Sequence, residues 1–204
     1  MVIFKFQKTS TAALAAHVDT LRAVTYLFRR AGLDVQYSQG YNPHMELGFS
    51  PPLPLGTESL CEYVSAKMPF SPCLTERLSP LCPPGLKFVK CAEGSVNLAA
   101  EIDGAQYLVK AAGIGNYVEE GTKNGFFLQT DKGEKDVSSL VYATQKVDDN
   151  SALVTLALGN CGLRADKLVK SLLAQHGADC DYSVLKTVAY IKGVDADEIL
   201  FPTK

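Results

Sequence analysis

Over residues 2–91 the predicted elements run strand, helix, strand, strand, helix, strand. That order points to an α+β fold, a ferredoxin-like antiparallel sheet with both helices on one face. Two patterns carry the expectation. Val2, Phe4 and Phe6 alternate with Lys5 and Gln7, the period of a half-buried strand. Leu14, Val18, Leu21, Val24 and Phe28 gather on one side of a helical wheel, opposite Asp19, Arg22, Tyr26, Arg29 and Arg30. Residues 1–93 are therefore expected to form a ferredoxin-like α+β domain. A second, smaller α+β half is expected over residues 105–192, after a linker at 94–104 and before a tail at 193–204. It is open to being a degraded repeat of the first, although no segment repeats residue by residue.

Each element has a local reason. Thr9-Ser10-Thr11 caps a helix over residues 11–31, and Ala31-Gly32 closes it. Leu33 to Tyr37 reads as the second strand and Met45 to Phe49 as a short third. Between them lies the turn-rich loop Ser38–His44. Three prolines in Pro51–Gly56 keep that stretch out of a sheet interior, because proline has no amide donor. Leu60 to Met68 reads as a strand. Ser71-Pro72 opens a short helix to about Leu81, and Leu86 to Cys91 closes the first half. In the second half, strands are expected at Tyr107–Ala111, Phe126–Thr130, Leu140–Gln145, Leu153–Leu158 and Val184–Ile191. A helix is expected at Asp166–His176, stopped by Gly177. Gly113 to Gly125 shows no helical pattern, and Asp195 to Lys204 reads as peripheral.

Composition narrows the function. The chain of 204 residues is 47% hydrophobic and 21% charged, an ordinary globular balance. Its net charge of −2 argues against a strongly basic nucleic-acid binder, though not against a local basic patch. No apolar run is long enough to span a membrane, and the alternating N-terminus is unlike a signal peptide, so a cytoplasmic protein is expected. None of the six cysteines forms a Cys-x-x-Cys pair. They are expected as reduced thiols, with no metal or other cofactor. No recognised catalytic motif is present, and no catalytic residue is assigned.

The candidate residues are polar groups that break the pattern. His17 falls in the middle of the apolar helix face. In the expected topology the first helix starts where the second strand finishes, so His17 would lie near the loop Ser38–His44. The helix N-terminus there would suit an anionic group. Within the loop, Gly40 can take a positive φ and Pro43 fixes its own. Gln39 and Asn42 each offer donors and an acceptor, Tyr41 offers a stacking face, and Ser38 and His44 bracket the set. Asp19 and Arg22 complete this expected binding end. Glu58 and Glu62, four apart at a strand start, join the candidate set, although edge charges are the simpler reading. The plain alternatives stay open: a loop that satisfies its own backbone, a buried histidine bonded to backbone, and a solvated arginine face.

Several segments resemble a known family. They are His17-Val18-Asp19-Thr20-Leu21-Arg22, Arg29-Arg30-Ala31-Gly32-Leu33, Tyr37-Ser38-Gln39-Gly40-Tyr41-Asn42-Pro43-His44, Pro52-Leu53-Pro54-Leu55-Gly56-Thr57-Glu58-Ser59 and Glu62-Tyr63. In order and spacing through about residue 92 they resemble the bacterial radical SAM-linked protein family, a domain of unknown function. Lys135-Asp136-Val137 and Gly162-Leu163-Arg164-Ala165-Asp166 match it more weakly. The chain departs from that pattern at Met45-Glu46, where the family has Pro-Arg, at Ser138-Ser139 and at Ala165. The resemblance implies a radical SAM protein as partner, in a context of RNA modification or processing. The chain lacks Cys-x-x-x-Cys-x-x-Cys, so it would be the non-catalytic accessory or substrate-binding part. The alternatives are a stand-alone RNA-binding module, or a small His-based metal-dependent enzyme built on His17 and His44.

Overall fold

The computed structural model describes residues 1–130 and 133–202. Its first half contains β1 (Val2–Lys8), a 3₁₀ turn at Ser10–Leu14, α1 (His17–Arg30), β2 (Leu47–Phe49), β3 (Glu58–Ala66), α2 (Leu74–Leu78) and β4 (Leu86–Glu93). The short α3 (Leu98–Glu101) follows. The second half contains β5 (Gly104–Lys110), α4 (Ile114–Asn124), β6 (Phe127–Thr130), β7 (Gly133–Asp136), β8 (Val141–Asp148), β9 (Ser151–Ala157), α5 (Ala165–Gln175) and β10 (Ser183–Ile191). β11 (Val194–Asp195) and α6 (Ala196–Leu200) end the described chain.

The α+β expectation holds, in a single mostly antiparallel sheet ordered β4-β1-β3-β10-β5-β9-β8. β2 pairs with β3 on the edge away from β1, so the first half has the ferredoxin-like order β4-β1-β3-β2. The second half repeats it. Setting aside the separate β6–β7 hairpin, its elements run β5, α4, β8, β9, α5, β10, with spatial order β10-β5-β9-β8. The two units join edge to edge. Leu185 and Lys186 of β10 pair in parallel with Glu58 and Ser59, while the far end of the same β3 edge holds β2.

Alternation along β1 decides what each face carries. Val2, Phe4 and Phe6 pack with Val24, Leu27 and Phe28 of α1 and with Leu74 and Leu78 of α2. Ile3 points the other way. It packs with Cys61, Tyr63, Leu98, Ile102, Ala189, Ala196 and Leu200. Residues 94–104, expected as a linker, thus place Leu98 and Ile102 in a core. The expectation of a peripheral C-terminal stretch fails as well. Asp197 accepts from Lys5 Nζ at 2.8 Å, Lys90 Nζ at 3.0 Å and the Tyr63 hydroxyl at 2.9 Å. A third core lies between β5, β9 and the helices α4 and α5.

Three other expectations change. The first helix begins at His17, because Ala15 and Ala16 are extended and interrupt the expected run. The break shifts the phase: Leu14 and Val18 are 71% and 53% exposed, and the buried stripe is Thr20, Val24, Leu27 and Phe28. Leu33 to Tyr37 is irregular. Leu33 and Val35 are buried, but only Tyr37 bridges, to Met45, so the second strand is Leu47–Phe49. Ile114–Asn124 is a helix that composition concealed. Gly115, unfavourable for a helix by propensity, is there because a β-carbon would overlap the Asp148 carbonyl. No described helix is long and apolar enough to cross a membrane.

Candidate ligand-binding site

The strand reassignment moves the candidate loop. The first helix does start where the second strand finishes, but that strand is β2, and the segment after it is Ser50–Thr57. The proline run Pro51–Pro54 therefore borders His17. Gly56 N donates to Ala13 O at 2.9 Å, and Ser50 N to Tyr63 O at 3.0 Å, which pin the run in place. The loop Ser38–His44 lies at the other end of the sheet. Its base is tied to Lys67 through Gln36 N to Lys67 O at 2.8 Å and Lys67 N to Glu46 O at 3.3 Å. The stretch of β3 from Glu62 to Ala66 alone is about 13 Å long at an extended rise, so His17 and His44 do not meet.

The remaining candidates divide. In the loop, Ser38 Oγ lies 2.9 Å from His44 Nδ1 and accepts from His44 N at 3.2 Å. Gln39, Gly40, Asn42 and Pro43 are exposed, and Tyr41 is 100% exposed. Asp19 and Arg22 pair with each other on the outer side of α1, at 3.5 Å. Glu58 accepts from Ser10 N at 2.6 Å and steadies a backbone with φ of 49°. His17 and Glu62 do come together, through burial rather than direct bonding.

Glu62 is the centre of a buried polar cluster at the seam of the two units. Its Oε1 accepts from Lys186 Nζ at 2.9 Å and from Ser59 Oγ at 2.8 Å, and its Oε2 accepts from Ser50 Oγ at 3.2 Å. Lys186 is 1% exposed. Burial is the largest influence and lowers its ammonium, but Glu62, with smaller contributions from Cys61 and Tyr107, turns the net shift upward. Lys8, also buried, donates to Ala15 O at 2.8 Å and so closes the break before α1. Burial lowers the Lys8 ammonium, with Glu62 opposing. Burial also lowers His17, against the pull of Glu62 and with a smaller push from Lys8.

Above this cluster the two units frame an open cleft of about 700 Å³. One wall is His17, Phe49 and the proline run, and the other is Tyr107, Leu158 and the loop Gly159–Arg164. The loop runs from β9 to the start of α5. Gly162 is required in it, because a β-carbon would come within 2.7 Å of the Ala157 carbonyl oxygen. Leu163 N donates to Ala157 O at 2.9 Å and anchors the turn into α5. Arg164 lines the cleft and holds Asp166 through two bonds, 3.0 Å and 2.6 Å. His17 meets Phe49 edge-on, centroids 6.4 Å apart. Neither ring nitrogen of His17 has a hydrogen-bond partner among the described residues.

Tyr107 is the least expected member. It is 3% exposed, and burial pushes its phenol up to about 12. Its hydroxyl has no partner among the described residues, yet no described side-chain N or O is both sealed from solvent and unpaired. The hydroxyl therefore opens into the cleft that Tyr107 lines. Among the described residues, no three His, Cys, Asp or Glu side chains converge as a metal site would require. All six cysteines are free.

Lys186, Lys8, Tyr107 and Arg164 were absent from the sequence-based set. Lys186 stands alone in the apolar run Val184–Ile191 and Glu62 alone in Leu60–Ala66, and two opposite charges each stranded in an apolar strand are a readable sign of a buried pair. Tyr107 carries no such sign, because an aromatic in a strand is ordinary.

Fold and cleft together define the class: an α+β protein of two ferredoxin-like units joined through one sheet. Within that class, the chain belongs to DUF2344, a family described as an uncharacterized protein conserved in bacteria, which it matches over residues 2–159. The matched span includes His17, Glu62 and Tyr107 and ends at Gly159, before Arg164 and Lys186. A search of the curated proteins finds no match.

Proposed function

We propose that this protein is a cytoplasmic, non-catalytic accessory protein that holds a ligand in the cleft between its units for a radical SAM enzyme. The observation that carries the ligand-holding part is the cleft itself. It joins apolar walls to polar groups, among them the His17 ring and the Tyr107 hydroxyl, which have no hydrogen-bond partner among the described residues, the usual make-up of a small-molecule site. A binding role suits the groups better than acid–base work. Glu62, the carboxylate acting on His17, already has both oxygens engaged. The enzyme partner comes from the family resemblance of the first half. The exposed loop Ser38–His44, remote from the cleft, suits the docking of that partner and leaves the cleft open to its ligand.

The test is a pull-down from native cytosol, comparing wild type with the Asn42→Ala/His44→Ala double variant. Mass spectrometry reads retained protein and the absorbance ratio reads nucleic acid. A radical SAM enzyme retained by the wild type and lost by the variant is the expected result. Its absence from both sinks the accessory reading.

A second reading, a stand-alone RNA-binding module, draws on the outer side of α1. There Arg29 lies 5.8 Å from the ring centre of exposed Tyr26, a pair suited to stacking on a base. Nucleic acid retained without the enzyme would favour it.

A further inference from the structure

Two helices start at the cleft with bare ends. α1 begins at His17 behind Ala16, and α5 begins at Ala165 behind Arg164. Neither N-cap side chain accepts a hydrogen bond from its helix. The first amides of each helix have no intrahelical acceptor, and the helix dipole places about half a positive charge there. The acidic residues of both first turns are already matched: Asp19 by Arg22, and Asp166 by both bonds from Arg164. The positive field of the two ends is left to the cleft.

A separate observation points to a ligand. Tyr107 is 3% exposed, and its unpaired hydroxyl faces the same cleft. Because the protein supplies that hydroxyl with no partner and leaves it open to the cleft, it is free to donate to a bound acceptor. A small neighbouring pocket that shares His17, Phe49, Ser50 and Leu53 with the cleft is lined by Lys8 and Glu62. Lys186 is bonded to that same Glu62, so two buried ammonium groups, Lys8 and Lys186, stand against one carboxylate. That excess of positive charge has the same sign as the helix ends. The body of the cleft, by contrast, is apolar: Phe49, Leu53, the prolines and Leu163.

We infer that the cleft takes a small organic oxyanion, a phosphomonoester or carboxylate on an apolar body. The head sits at the helix N-termini, within reach of the Tyr107 hydroxyl and Arg164, and the body lies along Phe49 and the proline run. This rests on the cleft being the ligand site, and names the class of ligand. The enzyme partner is tested separately, by the pull-down.

The experiment is calorimetric titration of the whole chain with phenyl phosphate, benzoate and benzyl alcohol, repeated at raised salt. Amide shifts of Gly159–Arg164 and His17 locate the site. At least one of the two anions should bind tenfold or more tightly than the neutral alcohol, and the tighter one identifies the head. Tyr107→Phe should weaken that anion about tenfold, the worth of one hydrogen bond to a charged group. It should leave the urea midpoint in place, because the hydroxyl holds nothing in the free protein. Arg164→Gln, changed at the cleft rim, should weaken the anion too. Equal affinity for all three probes, or a Tyr107→Phe protein that binds the anion as wild type does, overturns the oxyanion inference while the cleft remains a ligand site. No probe shifting the cleft amides overturns both the inference and the placement of the ligand.

Discussion

Lys186 and Glu62 illustrate how much a single buried pair can decide. Each sits in an apolar strand, and each is nearly sealed from water. Taking two charges out of water costs several kcal/mol apiece, and the attraction between them returns most of it only when geometry is good. Here it is good: 2.9 Å to Lys186, with Ser59 and Ser50 completing the carboxylate. Lys186→Met keeps the length and removes the charge, so it leaves Glu62 buried and uncompensated. Urea unfolding should show a loss of about 3–5 kcal/mol. The double variant Glu62→Leu/Lys186→Met should lose much less, because neither charge is then stranded. A double variant as unstable as the single would mean that the cost lies in packing and not in charge. The same residue-level view explains why Glu62 was legible as unusual but not as central. Its partner is 124 residues away, and only folding brings them together.

At the scale of elements, the start of α1 is the informative one. Periodicity and a cap signal predict a helix from residue 11, with apolar residues in phase through Leu14 and Val18. The chain instead breaks at Ala15–Ala16, where Lys8 reaches across to the Ala15 carbonyl. A tertiary contact from another element thus ends one helical turn and starts the next helix, and periodicity within the segment could not report it. The break delivers an uncapped N-terminus to the cleft. Ala16→Ser adds the missing cap. It should raise stability by about 1 kcal/mol in urea unfolding. It should also weaken the oxyanion probe that binds wild type, because the new hydroxyl occupies an amide that the anion would use. Stability that does not rise would show that the α1 amides are already satisfied. The loop Ser38–His44 carries a similar lesson. Its residue types marked it clearly, but its position depended on which segment formed the second strand. Leu33–Tyr37 has the apolar alternation, whereas Leu47–Phe49 has the partner strand.

At the scale of the molecule, the two units share one sheet and one core. Cys61 lies in a buried cluster that joins Ile3 of the first unit, Ala189 of the second and Leu200 of the C-terminal helix. Burial pushes its thiol up to about 11, so it is unreactive while the core is intact. Cys73 and Cys161 are exposed and should label at once. Cys61 should become reactive only at the urea concentration where far-UV ellipticity is lost, in one transition. Two midpoints, or Cys61 labelling ahead of the loss of helix, would mean that the units unfold apart.

The α+β class, most strands, α5 and the distinctive loop were all readable from residue order, because they rest on local periodicity, turn chemistry and caps. The helix α4 was not, since Gly115 answers to a strand carbonyl rather than to helix propensity. The repeat of connectivity in the second half was not either, because topology is set by pairing and leaves no residue-level copy. The cleft, the pairing of Lys186 with Glu62 and the open hydroxyl of Tyr107 came only from tertiary structure. They exist where β10 of one unit meets β3 of the other, and hydrogen bonding between strands so far apart in the chain is settled by the whole sheet rather than by any segment of it.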